Sequence, residues 1–275
     1  DSLGIADGVG GWGTRAGADP ALFSRFLMHF CAVELSRYDH LSAAELTANN
    51  GEALAAWTSI DPVEIMHRAW RRCIRASRRE GIKGSSTALI AILREDELRI
   101  ANVGDCVALV IRPSQRTMVF RSEEQQHSFN YPLQLGMMST ADGSLEWDEP
   151  RRDAGRYSLR VQPGDLLIVG SDGCFDNLFD EDVLEENSSA AANPLPADFS
   201  PQDVSEALCL RAKQIAEDPR AVTSPFQCAA TDEGLHYVGG KLGESSFLAA
   251  SGIIAGLFTP FSFMSMLSLS SARYR

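Results

Sequence analysis

The chain contains no CxxC pair, no HExxH and no finger-like spacing of cysteine and histidine. Those absences exclude a zinc ribbon and leave histidine-based metal chemistry without support. The six cysteines, Cys31, Cys73, Cys106, Cys174, Cys209 and Cys228, are scattered, so reduced thiols in an intracellular compartment are expected and not a disulfide scaffold. No GKS or GKT triplet occurs, and Lys83-Gly84-Ser85 has the wrong order, which excludes a P-loop. Basic residues are in deficit: 25 Lys and Arg stand against 37 Asp and Glu, for a net charge of −12. Nucleic-acid-binding domains normally carry the opposite sign, so no nucleic-acid partner is expected.

What is present is 275 residues of ordinary globular composition, 44% hydrophobic and 23% charged. A chain near this length buries about three-quarters of its unfolded surface without staples. Asp19-Pro20 and Asp61-Pro62 each place a capping carboxylate before a proline at the first helical position. They predict helices running to about Arg37 and to Gly81, and a third helix is predicted from Gln202 to Glu217. Strands are predicted at Leu3 to Ala6, Ala88 to Leu93, Leu98 to Val103, Cys106 to Ile111, Thr117 to Arg121, Tyr157 to Val161 and Leu166 to Gly170. Gly104-Asp105 reads as a turn joining the third and fourth of these as a hairpin. Grouped hairpins with helices set apart predict an α+β fold. Ser188 to Pro201 reads as a surface loop, and the sequon at Asn187-Ser188-Ser189 as chance.

Leu3 to Gly13, LGIADGVGGWG, holds a formal GxGxxG, but no helix opens directly behind it and no strand-end acid follows at the proper distance. What it leaves is Asp7, a carboxylate at the end of an apolar strand, followed by glycines. The same grammar recurs in LLIVGSDGCFDN, Leu166 to Asn177, with Asp172-Gly173 behind a buried strand, and in altered form at Asp105. Single Asp-Gly pairs are ordinary turns. Repeated at strand ends, they suggest oxygen ligands for a shared hard cation such as Mg²⁺ or Mn²⁺.

ADGVGGW at Ala6, DP with LFS behind it, GSSTA at Gly84, ANVGD at Ala101, EEQQHSFN at Glu123, SDG with FDN at Ser171 to Asn177, SPF at Ser224 and the GGK ending at Lys241 occur in one order. That ordered set resembles the metal-dependent Ser/Thr protein phosphatases of the 2C type, in particular their mitochondrial branch. The resemblance spans about residues 3–241. It implies two antiparallel β-sheets packed as a sandwich and flanked by helices, here N-terminally truncated because the family's first strand precedes Asp1. It implies a binuclear Mg²⁺ or Mn²⁺ site and a metal-activated water that attacks phosphoserine or phosphothreonine in protein substrates. Asp7 would bridge both ions, the Gly8 carbonyl would ligate one and Asp172 would hold one of the pair, which makes Asp7 and Asp172 the catalytic residues. Asp105 and Asp176 match acids of a further, weaker site. A mitochondrial location is implied in the same way.

The chain departs from the family at several points. A phosphate-gripping Arg and an acidic pair belong to the missing upstream strand, and Val9 stands where many relatives have His. After Lys241 the expected ligand position falls on Gly243, leaving Glu244 as the nearest carboxylate. The phosphatase domain is therefore drawn at 1–244, and a catalytically impaired relative acting as a phosphoprotein-binding module stands as the alternative. Residues 245–275 form a tail, uncharged from Ser245 to Ala272, with three readings: a membrane segment over 247–269, a buried strand with a disordered tail, or an aberrant end. Arg68, Arg71, Arg72, Arg75, Arg78 and Arg79 read either as a solvated helix face or as a dock for an acidic or phosphorylated partner. His127 reads as a structural histidine or a proton-transfer aid, and Trp12 and Phe175 as packing residues. Oligomeric state is not legible.

Overall fold

In the computed structural model, both proline-led helices begin where the capping carboxylates place them. Asp19 Oδ1 accepts from Leu22 N at 2.8 Å at the head of α1 (Pro20–Leu35). A short helix, α2 (Gly51–Thr58), precedes α3 (Pro62–Glu80), where Asp61 Oδ1 accepts from Val63 N at 2.8 Å and left-handed Gly81 closes the last turn. Each side-chain cap is worth about 1 kcal/mol. One further helix, α4 (Pro150–Asp153), is a single turn. The structure describes residues 2–12, 16–38, 51–136, 148–186, 200–218, 223–242, 247–251 and 262–265.

The strands are β1 (Ser2–Ala6), β2 (Ser85–Ser86), β3 (Ala88–Arg94), β4 (Glu97–Val103), β5 (Val107–Arg112) and β6 (Thr117–Arg121). They continue with β7 (Gln126–Ser128), β8 (Tyr131–Pro132), β9 (Leu135–Gly136), β10 (Gly155–Arg160) and β11 (Leu166–Gly170). The last two are β12 (Phe247–Ser251) and β13 (Ser262–Ser265). The chain divides into two compact units. The first comprises Asp1–Gly104, Leu133–Val161 and Phe258–Met266; the second comprises Asp105–Pro132, Gln162–Leu257 and Leu267–Arg275.

The first unit is built on a five-stranded sheet in the order β10-β4-β3-β1-β13. All its pairs are antiparallel except β1 with β13, which run parallel with Leu3 opposite Ser262. Every residue of the central strand β3 is buried, whereas edge strand β10 alternates half-buried with exposed positions. That contrast is what period-2 pleating gives at the middle and rim of a sheet. Phe23, Leu27, Met28 and Cys31 of α1 pack with Ile65, Met66, Ala69 and Cys73 of α3 over Ile90 and Ile92. Burying each large apolar side chain contributes about 1.5–3 kcal/mol.

The second unit carries a four-stranded sheet, β12-β11-β5-β6, all antiparallel. Its core joins Val107, Leu109, Leu166 and Ile168 to Phe175 and Leu178 and to Val204, Leu208 and Ala212. Among the described residues it carries the helices α5 (Asp172–Phe175), α6 (Asp180–Glu186), α7 (Pro201–Glu217) and α8 (Pro225–Asp232). The α+β class is as expected. The six cysteines form no disulfide.

The expected β4–β5 hairpin does not form. Gly104 does turn the chain, with φ +107, and a Cβ there would meet Thr87 Cγ2 at 2.6 Å and the Leu133 carbonyl at 2.7 Å. But β4 already has β3 on one side and β10 on the other, so it offers no edge to β5, which pairs with β6 and β11. The turn hands the chain from one sheet to the next. The tail also departs from a membrane-spanning reading where it is described: Phe247–Ser251 and Ser262–Ser265 are strands. Among the described residues no helix is long and apolar enough to cross a membrane. The sequon and most of the Ser188 to Pro201 segment lie outside the described residues.

Candidate functional site

In the first unit, Asp7 follows β1 directly and its backbone is held on both sides. Its N–H donates to Thr87 Oγ1 at 3.1 Å, and its carbonyl accepts from Thr87 N at 2.9 Å and Ser86 Oγ at 2.8 Å. Gly8 bridges to Ser86, and Val9 N donates to the Ser85 carbonyl at 3.0 Å. Gly8 is demanded by crowding: a Cβ there would lie 2.7 Å from the Pro20 carbonyl oxygen. Behind it, buried Trp12 donates from Nε1 to Ser85 Oγ at 2.7 Å, and Ser85 Oγ donates to Gln134 Oε1 at 2.5 Å. Trp12 is therefore a packing residue that also locks the loop through a hydrogen-bond chain.

In the second unit, β11 ends at Gly170 and the chain turns at Ser171 into the single-turn helix α5. Asp172 accepts from Gly173 N on Oδ1 at 2.7 Å, and Asp176 sits one turn on, its N–H on the Asp172 carbonyl at 2.8 Å. Between the two carboxylates lies Lys241. Its Nζ donates to Asp172 Oδ2 at 2.8 Å, to Asp176 Oδ2 at 2.6 Å and to Asn130 Oδ1 at 2.8 Å. Lys241 is a residue that composition and spacing did not single out as a site group; its only signal was its place at the end of GGK.

The segment bearing Lys241 is fastened from several sides. Asn177 accepts from Lys241 N at 2.8 Å and donates to the Lys241 carbonyl at 3.0 Å and to the Gly173 carbonyl at 2.8 Å. One amide thus ties Lys241 to the helix that carries Asp172. Ser224 Oγ donates to the Gly239 carbonyl at 2.7 Å, and Tyr237 OH to the Gly240 carbonyl at 3.1 Å. The Lys241 ammonium stands 4.8 Å from the centre of the Phe226 ring, which packs against Phe129 and Tyr237. Gly240 admits no side chain, because a Cβ would fall 2.5 Å from the Ile215 carbonyl oxygen. Asn177, Asn130, Ser224 and Phe226 were legible only as letters of the family blocks.

Asp105 belongs to the same cluster electrostatically. Burial and the neighbouring Asp172 and Asp176 carboxylates push its carboxyl up to about 8. Burial raises Asp176 as well, to about 7, although Lys241 pulls the other way. Burial lowers the Lys241 ammonium, but Asp172 and Asp176 outweigh it and hold it above the usual lysine range. The raised Asp105 and Asp176 carboxyls show how costly it is to keep this cluster ionised with one ammonium as its counter-charge. The donors are all oxygen, and Lys241 is already a cation held by two of them, so the chemistry suits a hard divalent ion. Among the described residues no three His, Cys, Asp or Glu side chains stand close enough to hold a metal by themselves. Asp172 and Asp176 instead share the ammonium.

Of the expected ligands, the second unit joins Asp172 and Asp176 through Lys241, with Asp105 near enough to feel their charge, while Asp7 and Gly8 stand side by side in the first. Glu244 and Gly243 lie outside the described residues. His127 is exposed on β7, with Tyr131 5.6 Å away ring to ring. Phe175 is a core residue, with the Arg121 guanidinium 5.9 Å from its ring centre.

The family model described as stage II sporulation protein E matches residues 40–221. The chain is 35% identical over 244 residues to "Protein phosphatase PTC7 homolog" of Danio rerio, covering 88% of this chain and 73% of that one. It is 32% identical over 243 residues to "Probable protein phosphatase 2C 80" of Arabidopsis thaliana, covering 88% of this chain and 50% of that one. The chain spans about half the length of that relative and of "Probable protein phosphatase 2C 55" of Arabidopsis thaliana. Among solved structures, that of the photosystem II phosphatase PBCP superposes with a TM-score of 0.66 at 27% identity, covering 90% of this chain and 85% of that one.

Proposed function

The chain belongs to the protein phosphatases of the 2C type, and on that premise we propose that it hydrolyses phosphoserine and phosphothreonine in phosphoprotein substrates at a divalent metal site. The observation that carries this reading is the cluster of Asp105, Asp172 and Asp176 around the single Lys241 ammonium. Carboxyl groups gathered where they resist ionising together are what two-metal phosphoryl chemistry requires of a protein, because bound cations offset their charge. The groups assigned to the ions are Asp7, the Gly8 carbonyl, Asp172, Asp105, Asp176 and Glu244, within a phosphatase domain drawn at 1–244. When bound, Mg²⁺ or Mn²⁺ lowers the pKa of a coordinated water and neutralises charge on the phosphoryl oxygens.

The chain's own contribution is positioning. Asn177 fixes the Lys241 backbone against α5, so Asp172 and Asp176 project from a braced turn and not from a loose loop. Burial and the Asp172 and Asp176 carboxylates raise the Asp105 carboxyl, and a cation bound beside them would favour its ionised form. A mitochondrial location is part of the proposal and rests on the resemblance to that branch.

The test is hydrolysis of a phosphoserine peptide and of p-nitrophenyl phosphate. Turnover is expected only with Mn²⁺ or Mg²⁺, and Asp172→Asn is expected to lose about 100-fold or more. Turnover in excess chelator, or full activity in that variant, would overturn the assignment. The second reading, a phosphoprotein-binding module without turnover, is favoured by the Lys241 ammonium standing between two assigned ligands. Calorimetric titration with Mn²⁺ separates the two, since tight binding supports the enzyme and absence of binding supports the module.

A further inference from the structure

On the first unit, one stripe of α3 lines a groove of about 490 Å³ with His67, Trp70, Arg71, Ile74, Arg75 and Arg78, closed on one side by Glu149 and Arg151. The spacing from His67 through Arg71 and Ile74 to Arg78 keeps these side chains on one helical face. Arg151 is engaged by Glu64 through two bonds of 2.8 and 2.7 Å. Among the described residues, no carboxylate pairs with Arg71, Arg75 or Arg78. Three unmatched guanidiniums in a row are unusual for a chain of net charge −12.

Two lining residues carry buried ring nitrogens without a hydrogen-bond partner, His67 Nδ1 and Trp70 Nε1, and His67 itself is 4% exposed. The nearest carboxylate to His67 is Glu149, 3.5 Å from Nδ1. That carboxylate makes the His67 end unwelcoming to an anion and leaves the Arg75–Arg78 end as the cationic one. Trp70 and Ile74 supply an apolar floor beside it. Guanidinium forks recognise phosphate through paired hydrogen bonds, and an apolar floor suits a peptide backbone and side chains better than a bare ion.

We infer that this groove binds a phosphorylated peptide segment, with the phosphate at Arg75 and Arg78 and an apolar neighbour on Trp70 and Ile74. It is a docking site that hydrolyses nothing, and it shares no residue with the carboxylate cluster.

The experiment uses the full chain in EDTA and a fluorescein-labelled phosphoserine peptide with an apolar flank, read by anisotropy. The Arg75→Ala/Arg78→Ala variant, altered only at exposed positions, is expected to bind the peptide about tenfold or more weakly. Asp172→Asn is expected to bind like the parent, and the unphosphorylated peptide to bind poorly. Turnover of p-nitrophenyl phosphate with Mn²⁺ is expected to be the same in parent and double variant, so loss of docking and loss of catalysis are read separately. Equal peptide binding by parent and double variant would overturn the inference. So would equal competition by inorganic phosphate at the same concentration, or a preference for phosphatidylserine vesicles over the peptide.

Discussion

Replacing Lys241 by methionine keeps an apolar stem and removes the ammonium that holds Asp172, Asp176 and Asn130. Breaking a buried ion pair typically costs about 3–5 kcal/mol, because the stranded charges have lost both water and partner. Here the side chains of Lys241, Asp176 and Asp172 are 19%, 17% and 29% exposed, so water recovers part of that loss. The expected penalty is about 2–3 kcal/mol in the absence of metal. At about 2–4 °C per kcal/mol for a chain this long, the Tm in EDTA falls by roughly 4–12 °C. Thermal unfolding followed by circular dichroism measures it. Added Mn²⁺ is expected to raise the variant's Tm by more than it raises the parent's, since no ammonium has to yield the carboxylates first. A Tm within about 1 °C of the parent in EDTA would refute the reasoning, because it would mean that the two carboxylates do not depend on Lys241.

Two other outcomes follow from the packing and the charges. Gly240→Ala would place a Cβ 2.6 Å from Ala216 Cα and from Asn177 Oδ1, so it is expected to destabilise the second unit by about 1–3 kcal/mol in urea titration; an unchanged midpoint would show that α7 yields freely. Glu97 is held down at about 2 by hydrogen bonds from Arg99 and Ser158, so its stabilising contribution is present above the usual carboxylate range and is lost as pH falls toward 2. The gap in stability between the parent and Glu97→Gln is therefore expected to close between about pH 5 and 2, and a gap that stays constant on acidification would refute that origin.

The elements that local chemistry dictates were legible in the sequence. Asp19-Pro20 and Asp61-Pro62 fixed two helix starts, and Leu166–Gly170 announced itself as a buried strand by an unbroken apolar run. Partner choice was not legible. Gly104-Asp105 has all the marks of a reversal, yet whether a reversal makes a hairpin depends on whether the strand before it has an edge to spare, and β10 had taken that edge from fifty residues downstream. The candidate site divides in the same way. Asp105, Asp172 and Asp176 stood out because an acid behind an apolar strand is conspicuous by itself. Lys241 and Asn177 gain meaning from hydrogen bonds spanning 64 to 111 positions of sequence, which no local pattern encodes.

The parallel pairing of β1 with β13 has a consequence for biosynthesis. Ser2–Ala6 is translated well before its neighbour on one flank, Ser262–Ser265, with Leu3 standing opposite Ser262 in the finished sheet. During that interval an apolar strand presents bare amide and carbonyl groups, the template on which nascent chains adhere to one another. Sealing that flank requires an encounter between residues as far apart in sequence as Leu3 and Ser262, which sets it among the slower events in folding. A nascent chain of this kind has reason to be shielded until β13 has been translated.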